Sequence, residues 1–224
     1  MNRTGNWQND AARCAADNET MPRPDTTGSK RLSAILARFI RIVSVPPVMV
    51  AGILTALART TDTIFYSPTE AVSAIVFLAV VPLLAYPLSL LLPRIRKRGR
   101  EGQRDLAFAL SAAGYAGGWV YGYLTHAAPA LMAIFTAYLF SVLLLLIFNK
   151  LLFLRASGHA SSITGPILLS VWFIGGWIIP AALALYALIF WASVSSGRHT
   201  QKEFLTGTAL CVAATAAAFL LYLV

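Results

Sequence analysis

A chain of 224 residues with 58% apolar and only 12% charged residues, and a mean hydropathy of +0.68, is too apolar for a soluble domain and has the composition of an integral membrane protein. A net charge of +9 would suit a nucleic-acid binder, but the cations sit between apolar runs, so membrane lipids rather than nucleic acid are the expected partners. Of the two cysteines, Cys14 lies in a polar stretch and Cys211 in the last apolar run, which excludes a disulfide framework and leaves no activated thiol.

Residues 1–31 are polar and contain no apolar core. They read as a disordered cytosolic tail rather than a secretory signal, which needs an apolar stretch of about 7–15 residues. Residues 32–224 read as a membrane-embedded domain. A bilayer-crossing helix takes about 20 mostly apolar residues, which places spans near 36–58, 70–92, 106–124, 129–153, 160–175, 178–194 and 204–223. The first is weakened by Arg38, Arg41 and Pro46-Pro47, so it either spans or lies partly in the interface. The fifth and sixth are short and parted by Gly175, Gly176 and Pro180, as in a compact helical hairpin. With no strand-like alternation, the expected fold is all-α: a polytopic transmembrane bundle of six or seven helices.

Charge sets the expected orientation. All of the eighteen Lys and Arg residues except Arg59 fall on one side of this span pattern, and the positive-inside rule makes that side cytoplasmic. The bias survives removal of Lys97, Arg104 and Arg198. Two spans separate Arg104 from Ser157 and two more separate His159 from His199, so the polar segments carrying these residues share a face whichever way the chain is oriented.

Those segments have the makings of a phosphate site. Lys97 and Arg104, with six residues between them, supply cations, and Arg suits bidentate contact with two phosphate oxygens. Ser157 and Gly158 precede an expected helix whose N–H groups and dipole favour an anion. His159 can donate a proton to a leaving oxygen. His199 can attack phosphorus if its other ring nitrogen is held, and Glu203, one helical turn on, has that reach. Each residue also has a plainer reading. Segment 93–105 is by itself a headgroup-facing basic patch, and Ser157 an N-cap. The histidines can be interfacial residues, Glu203 a solvated helix start, and His126 falls on the opposite side with no partners.

Taken together, these residues resemble the type 2 phosphatidic acid phosphatase family, whose fold is shared with vanadium haloperoxidases. Its first motif, Lys, six residues, Arg-Pro, is matched by Lys97 and Arg104, with Asp105 in place of proline. Its Pro-Ser-Gly-His reads Ala156-Ser157-Gly158-His159. Its third motif, Ser-Arg, five residues, His, three residues, Asp, is matched by Ala192-Ser193, His199 and Glu203, followed by Phe204-Leu205-Thr206-Gly207. The resemblance implies that His199 is a nucleophile forming a phosphohistidine, oriented by Glu203, and that His159 is the general acid. It implies that Lys97, Arg104, Ser157 and the Gly158 backbone hold the phosphoryl oxygens, and that the enzyme needs no metal or other cofactor. The implied substrate is a lipid phosphate monoester or diphosphate: phosphatidate, phosphatidylglycerophosphate or a prenyl phosphate. Ser193 departs from the pattern, standing where the family has a phosphate-contacting arginine. Losing one such donor costs on the order of 10²–10³ in rate, for which Arg198, beside His199, is the candidate replacement.

Two other classes compete. Metal-dependent prenyl transfer needs clustered carboxylates, and only Glu101, Asp105 and Glu203 of the nine acidic residues lie on the active face outside the tail, with no paired Asp motif. A catalytically impaired binder or carrier of lipid phosphate remains the alternative, since fold alone does not dictate activity.

Overall fold

The computed structural model describes residues 45–152, 154–197 and 199–224. The expected polar tail, the beginning of the first expected span and Arg198 lie outside the described residues. Among the described residues every regular element is helical: α1 (Pro46–Thr60), α2 (Pro68–Leu91), the short α3 (Pro93–Lys97), α4 (Gly99–Leu124), α5 (Pro129–Leu151), α6 (Gly158–Ile174), α7 (Gly176–Ser195) and α8 (Gln201–Tyr222). Proline opens α1, α2, α3 and α5, where its missing N–H and preset φ suit the first turn. Ser67, Ser157 and Thr200 cap α2, α6 and α8 through their side chains, satisfying N–H groups that a helix start leaves unpaired.

Four helices, α2, α5, α7 and α8, are long and apolar enough to cross a membrane. The others fall short for visible reasons. The described part of α1 is 15 residues and α6 is 17. The 26-residue α4 spends its first two turns on Arg100, Glu101, Arg104 and Asp105, so the polar segment expected as a connection is helical in both α3 and the start of α4. The expected hairpin is present as α6 and α7, broken at Gly175, whose φ of 118° is costly for any residue with a Cβ.

The core centres on α5, where Leu131, Ile134 and Phe135 are fully buried; it packs chiefly on α8 and α4, while α6 packs on α8 and α1. A Cβ at Gly118 of α4 would collide with the Phe135 ring, so this glycine permits the α4–α5 contact. Two π turns interrupt the ladder, at Val76–Val80 in α2 and Ile147–Leu151 in α5. The first precedes Pro82, which lacks the N–H a regular turn would use. The second shapes the site.

Candidate active site

Two helix starts build the site. Ser157, the N-cap of α6, accepts a hydrogen bond from the Ala160 N–H at 3.2 Å, and its own N–H donates to the Glu203 carbonyl at 2.9 Å. This backbone bond joins α6 to α8 directly. It requires a close approach, and Gly207 on α8 provides it, because a Cβ there would run into the Ser157 backbone. At the start of α8, the Thr200 Oγ1 accepts from the Glu203 N–H at 3.2 Å and the Glu203 Oε2 accepts from the Thr200 N–H at 3.2 Å, a reciprocal capping box. The same Oε2 lies 3.4 Å from His199 Nδ1. That is long for a hydrogen bond, as catalytic contacts often are before substrate tightens them. With the proton on Nδ1, the ring presents Nε2 as its basic nitrogen.

A cavity of about 290 Å³ opens beside these turns, and Arg104, Gly158, His159 and His199 all line it. Three sequence segments separated by tens of residues thus meet at one mouth. Both histidine side chains are part-buried, and the His159 Nε2 atom is buried. The exposed Arg104 guanidinium donates to Asn149 Oδ1 at 2.9 Å and lies over the Phe108 ring at 5.6 Å. Among the described residues no carboxylate pairs with it, so its charge is available to an anion. Gly158 opens α6 at the cavity, where the helix dipole favours negative charge.

Other expected site residues take different places. Lys97, at the end of α3, is exposed and is not among the cavity-lining residues; the helical path of 93–105 brings only Arg104 to the mouth. Ser157 is fully buried with its hydroxyl in the cap, so its side chain positions α6 instead of lining the phosphate space. Glu203 stands behind His199 and does not line the cavity. Ser193 is buried on α7, its Oγ has no hydrogen-bond partner among the described residues, and it does not line the cavity. Arg198 lies outside the described residues. Asp105 pairs with Lys150 at 2.9 Å and Arg98 at 2.6 Å. The Lys150 hydrogen bond above all, then Arg98, holds its carboxyl below the ordinary carboxylate value, partly offset by burial. His126 sits in an exposed turn between α4 and α5.

Sequence reading missed Asn149. Its Nδ2 donates to the Leu145 carbonyl at 2.9 Å and to the Ala156 carbonyl at 3.1 Å, while its Oδ1 accepts from the Ala156 N–H at 3.2 Å and from Arg104. One side chain therefore ties the approach to the Ser157 cap to the cavity's guanidinium. The π turn at Ile147–Leu151 carries it, and such turns recur at functional sites. The only hint in the sequence is a polar pair, Asn149-Lys150, ending an apolar run. Comparison of the chain with protein-family models, curated protein sequences and solved structures finds no match.

Proposed function

We propose that this protein is an integral membrane phosphatase that hydrolyses a lipid phosphate monoester or diphosphate through a phosphohistidine, with its site at the cytosolic face of a bundle of six or seven spans. The observation that carries the reading is the joint lining of one cavity by His159, His199, Arg104 and Gly158, with Glu203 behind His199. In this mechanism His199 Nε2 attacks phosphorus while Glu203 holds Nδ1–H. The bond from phosphorus to the alcohol oxygen breaks in line, and His159 delivers a proton to that oxygen. Arg104 and the start of α6 hold the equatorial oxygens, whose charge is greatest in the transition state. Water then attacks the phosphohistidine, giving its proton to His159 and returning free phosphate and His199. No step calls for a metal.

The test is release of inorganic phosphate from phosphatidate, phosphatidylglycerophosphate or a prenyl phosphate by purified protein in the presence of chelator. His199→Ala is expected to lower kcat/KM by a factor of about 10³ or more, and acid-labile phosphate should be trapped on wild type but not on the variant. Full activity in His199→Ala would sink the reading. Ser193 favours a second one: with a short buried side chain in place of the family's arginine, the site would bind lipid phosphate without turning it over. Headgroup binding without phosphate release, unchanged by His199→Ala, distinguishes it.

A further inference from the structure

Below its mouth the cavity changes character. Tyr115, Tyr138, Ser141, Ser161 and Thr215, drawn from α4, α5, α6 and α8, put hydroxyl groups along its depth, and among the described lining residues other than Arg104 and the histidines none carries a formal charge. Ser141 donates to Cys211 Sγ at 3.8 Å. Tyr138 is different. It is 95% buried, being 5% exposed, and among the described residues its hydroxyl has no hydrogen-bond partner, although a buried hydroxyl costs desolvation unless something bonds it. It lies close against α6: a Cβ at Gly165, another lining residue, would be 3.3 Å from that oxygen. Gly165 is seven residues beyond Gly158 on α6, about 10 Å down the helix at 1.5 Å per residue.

We propose that the depth of the cavity is a binding subsite for a free hydroxyl on the alcohol portion of the substrate, so that the protein prefers phosphomonoesters bearing a hydroxyl a few bonds from phosphorus. This rests on the phosphatase reading for the position of the phosphate at the mouth. A phosphate at Gly158 and a hydroxyl at Tyr138 are bridged by a polyol of about three carbons, because hydrogen bonds of about 2.8 Å at each end take up roughly half the gap. A plain alkyl chain leaves the Tyr138 hydroxyl unsatisfied. A second phosphate or an ammonium group finds no opposite charge there among the described residues. The volume of about 290 Å³ lies at the lower bound of small-molecule sites and suits a headgroup-sized alcohol.

Two matched pairs of substrates test this, one soluble and one lipid: glycerol 3-phosphate against propyl phosphate, and lysophosphatidate against hexadecyl phosphate. The hydroxylated member of at least one pair is expected to have a kcat/KM about tenfold higher, the value of one hydrogen bond. Tyr138→Phe should remove that preference while leaving the hydroxyl-free member within about twofold of wild type. Preference in the soluble pair alone assigns a free polyol phosphate, and in the lipid pair alone a lipid headgroup; both support the proposal. Equal rates within both pairs overturn it, as does a Tyr138→Phe loss shared equally by both members, which marks a structural role. Thr215→Val gives the same comparison if the Phe variant does not fold. If no phosphate is released from any ester, the phosphatase reading falls and calorimetry decides the subsite. Tighter binding of the hydroxylated member, lost in Tyr138→Phe, supports it, and equal binding overturns it.

Discussion

The turns that carry His159 and His199 differ from the basic segment 93–105 in how their positions are held. The turns are locked by backbone and side-chain bonds: Ser157 N–H to the Glu203 carbonyl, the Thr200–Glu203 capping box, and the Asn149 bonds to Ala156. The basic segment is helical, but its long-range side-chain ties are surface pairs on Asp105, from Lys150 and from the neighbouring Arg98, and only Arg104 reaches the cavity. The lesson is that cation density marks a face, whereas hydrogen bonds between segments far apart in the chain fix which groups meet. Surface charges gain little from fixed geometry in water, but a buried cap left unsatisfied costs the desolvation of its groups.

The widest separation is expected between two cations of the same segment. Arg104→Ala should lower kcat/KM for phosphate release by on the order of 10²–10³, as for loss of one transition-state donor, while Lys97→Ala should change it by less than about threefold. Equal losses would break the distinction drawn here and return Lys97 to the site. Next in size is Gly207→Ala, which puts a methyl into the Ser157 backbone. Overpacking of this kind costs about 1–3 kcal/mol, seen as a lower unfolding midpoint together with reduced activity. Asn149→Ala strands the Ala156 N–H and carbonyl and releases Arg104, for about 1–3 kcal/mol. If Arg104 holds the phosphate as proposed, KM for the phosphate ester should rise more than kcat falls, since the variant releases that guanidinium from Asn149.

The smallest effect belongs to the basic segment itself. Asp105→Asn should cost no more than about 1 kcal/mol, less at high salt, because its pairs are largely exposed. Its folded carboxyl is held low by Lys150 and Arg98. The pairing therefore contributes fully above the unfolded value of about 3.9 and is lost as pH falls through the lower folded value. The gap between the unfolding midpoints of wild type and Asp105→Asn should be full above the unfolded value and should close at an acid pH below the folded one. A gap that persists at that pH would show that packing, not the ion pairs, is the cause.

Much of this was legible in the sequence because it depends on local rules. Long apolar runs marked α2, α5, α7 and α8; Gly175 marked the break after α6; Ser157 and Glu203 stood at helix starts. Span parity also placed Arg104, His159 and His199 on one face, since it depends only on counting crossings. Tertiary structure alone decided which groups meet. Lys97 and Arg104 look equivalent by spacing, but helical phase and the turn at Arg98–Gly99 send one out and one in. Asn149 acquires its role from a π turn, which has no sequence signature, and from Ala156 seven residues away. The Tyr138 hydroxyl is a special feature only because four helices converge around it. By itself the sequence determined an apolar helical chain with its polar candidate groups gathered in a few short segments, because hydrophobicity and helix capping act over one or two turns. Which of those groups share a cavity, and what lines it below them, was decided by packing between segments far apart in the chain.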